Sequence, residues 1–186
     1  MQYFYKPVMA AKIIDVINYC PRCGTPVIQA ERSGRERPVC PSCGWIYFAD
    51  PKVAVAALIT REKKVLLVRR TVDPQRGLWA LPAGYVDAGE DPARACEREC
   101  QEETGLKVRV TGLIDVLNGQ DHPIGAHIII VYRAEVVSGS LRPDDDVDRA
   151  DYFQRDNLPP LAFTSTLKVL DMQFSSQGEY NLNNGV

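Results

Sequence analysis

The chain has 186 residues, 45% of them hydrophobic and 25% charged, with a formal net charge of −2 and a sequence pI of about 5.7. These proportions are ordinary for a globular protein and exclude a chain-wide basic field that would attract nucleic acid. The longest apolar run, residues 53–59, is far too short to cross a membrane, and residues 1–20 lack the uninterrupted apolar segment of a signal peptide. We therefore expect a cytoplasmic protein with one medium-sized domain, a small appendage and no membrane partner.

The first structured segment carries two short repeats of the same form, CPRCG from Cys20 and CPSCG from Cys40. Four thiolates from Cys20, Cys23, Cys40 and Cys43 suit a tetrahedral structural Zn²⁺ ion, with two disulfides or four free thiols as the alternatives. Nothing marks the chain as secreted, which disfavours disulfides. The glycine after each second cysteine is expected to free backbone N–H groups toward sulfur. Such a site is coordinatively closed, so its metal would support folding and not catalysis.

The remaining elements follow in chain order. Short strands of the cysteine module are expected at residues 26–30, 37–39 and 45–48. Beyond the boundary at Asp50-Pro51, strands are expected at residues 53–60, 65–70, 79–81, 107–117, 126–137 and 151–154, with helices at 92–104 and 164–174. An acidic loop is expected at residues 141–149. Mixed strands with few helices predict an α/β protein whose mixed sheet is sandwiched between helices.

Two capping residues predict the ends of the helix at residues 92–104: Asp91 as N-cap and Gly105 at the left-handed C′ position. At the spacing i, i+3 and i+4, the carboxylates of Glu99, Glu102 and Glu103 lie on one face of it. Bare carboxylates this close repel, and hard divalent cations relieve that repulsion. A Mg²⁺ cluster of this kind serves phosphoryl chemistry, because it neutralises charge on phosphate oxygens. The alternative is a solvated acidic helix face.

Residues 84–106 read GYVDAGEDPARACERECQEETGL and resemble the Nudix box. Every fixed glycine and polar position of the box is met, and Cys100 alone departs from it, where the family usually has an aliphatic residue. The resemblance implies the Nudix α/β/α sandwich, here preceded by a small four-cysteine zinc ribbon. It implies these domains: an extension at residues 1–17, the ribbon at 18–50, the Nudix domain at 51–175 and a flexible tail at 176–186.

The resemblance extends to residues 77–90, GLWALPAGYVDAGE, and to residues 161–165, LAFTS, and covers about residues 18–172. Together with the ribbon, these segments are similar to the FAD and ADP-ribose pyrophosphatase branch of the zinc-ribbon Nudix hydrolases. The NADH pyrophosphatases, another ribbon-bearing branch, carry an SQPWPFP-type motif after the box. The corresponding stretch here, NGQDHPI at residues 118–124, lacks it.

The implied reaction is hydrolysis of a nucleoside diphosphate linked to a second moiety, with release of AMP. The resemblance makes Glu99 and Glu103 the main ligands of Mg²⁺ or Mn²⁺, with Glu102 completing the cluster and the Ala83 carbonyl as a further ligand. Arg98 would orient the carboxylates through its pair with Glu90. The general base stays open between Asp148, one of the aspartates at 144–146, and Glu99 or Glu102 itself.

Substrate contacts are expected from aromatic and cationic side chains around the box. Trp79, Tyr85 and Phe163 could stack on a flat base, although each is also an ordinary core residue type. Three arginines could contact phosphates or could simply be exposed: Arg69, Arg70 and Arg76.

Two rival functions remain. One is a sensor domain that binds ADP-ribose without cleaving it, which the intact box disfavours. The other is a nucleic-acid enzyme that uses its ribbon, where Arg22, Arg32, Arg35 and Arg37 are offset by Glu31 and Glu36 and aromatic residues are few. We expect a nucleotide-derived small-molecule substrate, no nucleic-acid partner and, by family analogy, a homodimer.

Overall fold

A computed structural model describes residues 17–119 and 126–179. The chain divides into two compact units between Pro51 and Lys52. The expected extension at 1–17, the connection at 118–125 and the tail at 176–186 fall wholly or partly outside the described residues. Within the described residues, no helix is both long and apolar enough to cross a membrane.

The first unit is built on an antiparallel hairpin of β1 (Ile28–Arg32) and β2 (Arg35–Val39). Ser33 and Gly34 connect the strands with φ values of 52° and 73°, the positive pair that a tight two-residue turn requires. The third expected strand, at residues 45–48, is reduced to an isolated bridge between Val39 and Ile46.

The second unit contains seven strands and two helices within the described residues. The strands are β3 (Val53–Arg61), β4 (Lys64–Arg70), β5 (Trp79–Ala80), β6 (Ala83–Tyr85), β7 (Leu106–Asn118), β8 (Ile128–Gly139) and β9 (Val147–Phe153). The helices are α1 (Pro92–Thr104) and α2 (Thr164–Glu179), with a 3-10 turn at Arg155–Asn157 before α2.

The sheet is mixed, as expected. Its strand order is β5-β4-β3-β8-β7, with β3 and β8 parallel and the other pairs antiparallel. β3 pairs with β8 along one edge. Along its other edge, residues 54–56 pair with β6, and Thr60 and Arg61 pair with β4. The box glycine, Gly84, therefore lies on β6, a short strand that is not among those expected from the sequence.

Alternation along β3 divides the core into two layers. Val55, Ala57 and Ile59 belong to the buried cluster that includes Ala95, Cys96 and Cys100 of α1. Ala56 and Leu58 belong to the cluster that includes Val169 and Leu170 of α2. A sheet with one helix packed on each face is the α/β/α sandwich, and the prediction of this fold is confirmed.

Two element boundaries differ from the sequence expectations by more than two residues. β9 begins at Val147 and not at residue 151, because its first residues pair with β4, with Arg69 opposite Arg149. α2 continues to Glu179, five residues beyond the expected end at residue 174. Tertiary pairing outweighs the turn-like composition in the first case.

Candidate active site and four-cysteine cluster

Helix α1 is held at both ends by the expected caps. Asp91 Oδ1 accepts hydrogen bonds from the N–H groups of Ala93 and Arg94 at 3.0 and 3.1 Å. Gly105 has φ 71° and donates its N–H to the Gln101 carbonyl. The predicted bounds of this helix are confirmed, so its side-chain positions are fixed relative to the box loop.

Arg98 links three glutamates of the box through hydrogen bonds. Its guanidinium donates two hydrogen bonds to Glu90, at 2.9 and 2.8 Å, and one each to Glu99 at 2.8 Å and Glu102 at 2.9 Å. A fifth hydrogen bond reaches the Tyr85 carbonyl at 3.1 Å. The Arg98 contact lowers the pKa of Glu90 to about 2, so this carboxylate stays charged and anchors the arginine.

The other two carboxylates of interest are partly or fully withdrawn from water. Glu103 is 3% exposed and accepts a hydrogen bond from the Ala83 N–H at 3.0 Å. Burial raises the pKa of Glu103 well above its ordinary value, and burial also raises the pKa of Glu99, against the pull of Arg98. Buried carboxylates with raised pKa values gain most from a cation placed beside them.

Gly84 lies directly against the Glu99 carboxylate. A Cβ built on Gly84 would meet the Glu99 side chain at 2.0 Å, far inside contact distance. The box needs glycine here because the carboxylate occupies the space that any side chain would fill.

The loop between β8 and β9 closes over the end of α1. The N–H groups of Arg142 and Asp144 donate to the carbonyls of Thr104 and Glu103 at 2.8 and 3.2 Å, which satisfies helix-end acceptors. Burial is the main cause of the raised pKa values of Glu99 and Glu103, and the negative charge of Asp146 raises both pKa values further.

The candidate bases are thereby separated by environment. Asp148 forms a bidentate ion pair with Arg69, with distances of 2.8 and 2.5 Å, and this contact lowers the pKa of Asp148. Asp145 and Asp146 line the same cavity as Glu99, whereas Asp148 and Asp144 do not line it.

That cavity has a volume of about 340 Å³. Tyr85, Arg70 and Phe163 line it among the expected substrate contacts, together with Arg98, Glu99 and Ala83 of the box region. The Arg70 guanidinium lies 5.2 Å from the centroid of the Phe163 ring. An arginine and an aromatic ring thus lie together, as contact with a phosphate and a flat base requires.

The other expected contacts lie elsewhere in the described residues. Trp79 packs edge-on against Phe153, with ring centroids 4.8 Å apart, in the core beside α2. Arg69 is engaged by Asp148, and Arg76 is exposed and does not line the cavity.

Sequence reasoning missed several cavity residues. Asp87 lies in the box loop, Ser165 and Thr166 lie in the first turn of α2, and Ala54 and Ala56 lie on β3. The alternating alanines in VAVAALIT were the available signal, because small side chains on one strand leave room above it.

The carboxylates of the box do not converge on one point. Within the described residues, the four cysteines are the one group of cysteine, histidine and acidic side chains whose ligand atoms do. Arg98 draws Glu99 and Glu102 toward itself, and Glu103 turns to the Ala83 N–H. The donor set is nevertheless all oxygen and negatively charged, and Glu99 and Glu103 are shielded from water, which fits a hard divalent cation.

The four cysteine sulfurs lie within 4.8 Å of one another. The pairs Cys20–Cys43 and Cys23–Cys40 are 3.6 and 3.5 Å apart, too far for disulfides. Zinc–sulfur bonds of about 2.3 Å at tetrahedral angles put sulfurs about 3.8 Å apart, so the cluster fits Zn²⁺.

The glycine expectation needs a correction. Gly24 and Gly44 donate their N–H groups to the carbonyls of Cys20 and Cys40, at 2.9 and 3.0 Å, and not to sulfur. The N–H that reaches sulfur is that of Cys43, 3.4 Å from Cys40 Sγ. The glycines close each turn with φ values of 71° and 75°.

A mixed sheet between two helices, with a glutamate-rich helix at a cavity, defines the class of protein as a Nudix hydrolase. The family model of the NUDIX domain matches residues 50–172, and the chain belongs to this family.

Several known proteins are similar to this chain. The ADP-ribose pyrophosphatase of Methanocaldococcus jannaschii is 40% identical over 117 residues, which cover 62% of this chain and 69% of that protein. The NAD-capped RNA hydrolase NudC of Pseudomonas aeruginosa is 33% identical over 147 residues, which cover 77% of this chain and 50% of that protein. The chain thus spans about half the length of this NudC relative.

A solved structure shows the same fold over most of the chain. The crystal structure of a Nudix hydrolase from Nitrosomonas europaea superposes with a TM-score of 0.74 at 29% identity, covering 83% of this chain and 88% of that one.

Proposed function

We propose that this Nudix hydrolase cleaves the pyrophosphate of ADP-ribose, FAD or both, and releases AMP. The observation that carries the proposal is the shared cavity, where Arg98 and Glu99 of the box meet Arg70 and Phe163. Such a cavity offers charge control at the pyrophosphate and an aromatic surface for the base. The 40% identity to an ADP-ribose pyrophosphatase supports the same substrate class.

Each part of the chain has a distinct role in this proposal. Glu99, Glu102, Glu103 and the Ala83 carbonyl would hold Mg²⁺ or Mn²⁺, which would neutralise the pyrophosphate and lower the pKa of the attacking water. Arg98 positions Glu99 and Glu102 through hydrogen bonds of 2.8 and 2.9 Å, while Glu90 fixes Arg98.

The proton of the attacking water needs an acceptor that faces the cavity. Asp146 meets this condition better than Asp148, because Asp148 is committed to Arg69. Asp146 is also favoured over Asp145, which lines the cavity but is exposed, because the charge of Asp146 acts on Glu99 and Glu103. We therefore assign Asp146 as the proposed general base. Replacing Asp146 with asparagine should lower kcat about 10²-fold at most pH values, since base catalysis typically contributes 10²–10⁴-fold. The matched change Asp144→Asn, outside the cavity lining, should have little effect.

Hydrolysis of NADH or of an NAD-capped RNA is the second candidate, because the NudC relative matches 77% of this chain and the ADP-ribose pyrophosphatase matches 62%. The absence of the SQPWPFP-type motif argues against NADH as the preferred substrate. Of the corresponding stretch at residues 118–124, residues 120–124 lie outside the described residues.

The test is AMP release from ADP-ribose, FAD and NADH in parallel, with purified protein and Mg²⁺. Glu103→Gln should reduce turnover roughly 10²–10³-fold, the usual cost of losing one electrostatic contributor. Glu135→Gln, an exposed position on β8, is the matched control and should be neutral. Tight binding of ADP-ribose without cleavage would contradict the proposal and identify a nucleotide sensor.

We also propose a structural Zn²⁺ in the four-cysteine cluster, with one zinc per chain by elemental measurement. Homodimerisation and a cytoplasmic location stay predictions from the resemblance and the composition.

A further inference from the structure

The register of the first unit sorts its charges onto two faces. Directly opposite residues of an antiparallel pair share a face, and successive residues alternate. Arg32 lies opposite Arg35, and Ala30 lies opposite Arg37, so these four positions share one face. Glu31 lies opposite Glu36, and this pair occupies the other face. The glutamates therefore do not offset the arginines locally.

Phe48 joins the arginines on their face. The bridge between Val39 and Ile46, and the hydrogen bond from Tyr47 N–H to the Pro38 carbonyl at 2.9 Å, place residue 48 beside Arg37. The Arg37 guanidinium lies 4.5 Å from the centroid of the Phe48 ring. We name Arg32, Arg35, Arg37 and Phe48 the arginine face.

The arginine face is available to a ligand. Arg32 and Arg35 are exposed, and Phe48 is 51% exposed despite its large apolar ring. Among residues 17–119 and 126–179, no carboxylate forms an ion pair with any of the three arginines. Their side-chain hydrogen bonds go to backbone carbonyls, from Arg32 to Glu31 at 2.7 Å and from Arg37 to Arg32 at 3.2 Å.

We propose that the arginine face binds single-stranded nucleic acid, with phosphates on the arginines and one base stacked on Phe48. Three guanidinium groups that form no ion pair with the described carboxylates match a run of phosphates, and every base has a flat face that an exposed aromatic ring can receive. An acidic peptide would satisfy the charges but not the ring. The expectation of no nucleic-acid partner depended on the net charge, on the few aromatic residues of the ribbon and on Glu31 and Glu36 offsetting the arginines. The register weakens the last of these grounds, because it places those glutamates on the opposite face.

The test is fluorescence anisotropy of the zinc-loaded full chain with labelled 12-nucleotide oligouridylate, oligothymidylate and a duplex of equal length. The combined change Arg32→Gln, Arg35→Gln and Arg37→Gln should weaken single-strand binding at least about 30-fold at low salt. The slope of log K against log salt should fall by about 2 in magnitude, because each phosphate neutralised on a single strand contributes about 0.7 and three arginines are removed. Oligouridylate and oligothymidylate distinguish RNA from DNA as the preferred strand.

Phe48→Ala should weaken binding about 5- to 100-fold without changing the salt slope, because stacking releases no counterions. The matched control, Glu31→Gln with Glu36→Gln on the opposite face, should bind at least as well as the unchanged chain.

Four results would overturn the proposal: no binding by the unchanged chain, equal loss in the glutamate control, equal affinity for the duplex, or equal competition by polyglutamate. Zinc content and ADP-ribose hydrolysis, measured on every variant, should be unchanged, so misfolding and failure of the proposed enzyme activity are each detected separately.

Discussion

Replacing Gly84 with alanine perturbs the box at one atom. The added Cβ would lie 2.0 Å from the Glu99 carboxylate, whereas ordinary contact begins at 3.4 Å, so Glu99 must retreat by about 1.4 Å. Misplacing a catalytic group by about 1 Å typically costs about 10²-fold in rate. We expect kcat/KM to fall about 10²-fold, which corresponds to about 2.7 kcal/mol of transition-state stabilisation.

The assay is steady-state AMP release over a range of Mg²⁺ concentrations, with thermal unfolding measured in parallel. Gly112→Ala is the matched control, because a Cβ there meets nothing within 4 Å and its backbone is not left-handed. The control should keep full activity. Unchanged turnover and Mg²⁺ dependence in Gly84→Ala would refute the view that Glu99 must lie against this glycine.

Three further changes test the cluster and the ribbon. Arg98→Lys keeps the positive charge but loses the planar guanidinium that binds several carboxylates at once, so turnover should fall about 10²-fold. Because Arg98 lowers the pKa of Glu90 to about 2, the difference in melting temperature between this variant and the unchanged chain should shrink as pH falls from 4.5 toward 2. Glu103→Gln should raise the melting temperature of the zinc-loaded protein in the absence of Mg²⁺ and Mn²⁺ at pH 8, because burial raises the pKa of Glu103 and its ionisation destabilises the fold as pH rises above 4.5; no gain at pH 8 would contradict this. Cys40→Ser should abolish stoichiometric zinc and lower the melting temperature, and retention of one zinc per chain would exclude the four-cysteine site.

The sequence predicted the parts of this protein whose geometry is local. Helix α1 was predicted from Pro92 to Thr104 because Asp91 and Gly105 act on their own turns. The link between Glu90 and Arg98 was predicted by the resemblance, and both hydrogen bonds are present. Cys96 and Cys100, four residues apart on α1, are both buried in the core.

What the sequence did not predict depends on pairing between distant segments. Strand β6 exists because Ala83, Gly84 and Tyr85 lie opposite residues 54–56 of β3, and three residues carry no periodicity of their own. The assignment of Asp148 to Arg69 rather than to the cavity follows from the pairing of β9 with β4. The charge segregation of the ribbon likewise needs the hairpin register, which composition does not contain.

Arg98 forms unequal hydrogen bonds with its three carboxylate partners, Glu90, Glu99 and Glu102. Glu90 binds both arms of the guanidinium and, with a pKa of about 2, remains an anion across the working pH range. Glu99 and Glu102 each receive one hydrogen bond from the same terminal nitrogen. If the proposed cation enters the site, it would have to compete with Arg98 for Glu99 and Glu102 but not for Glu90. Glu90, which precedes the helix, would then keep the arginine in place while the other two carboxylates are released to the cation, so we expect a residue outside the proposed ligand set to affect turnover.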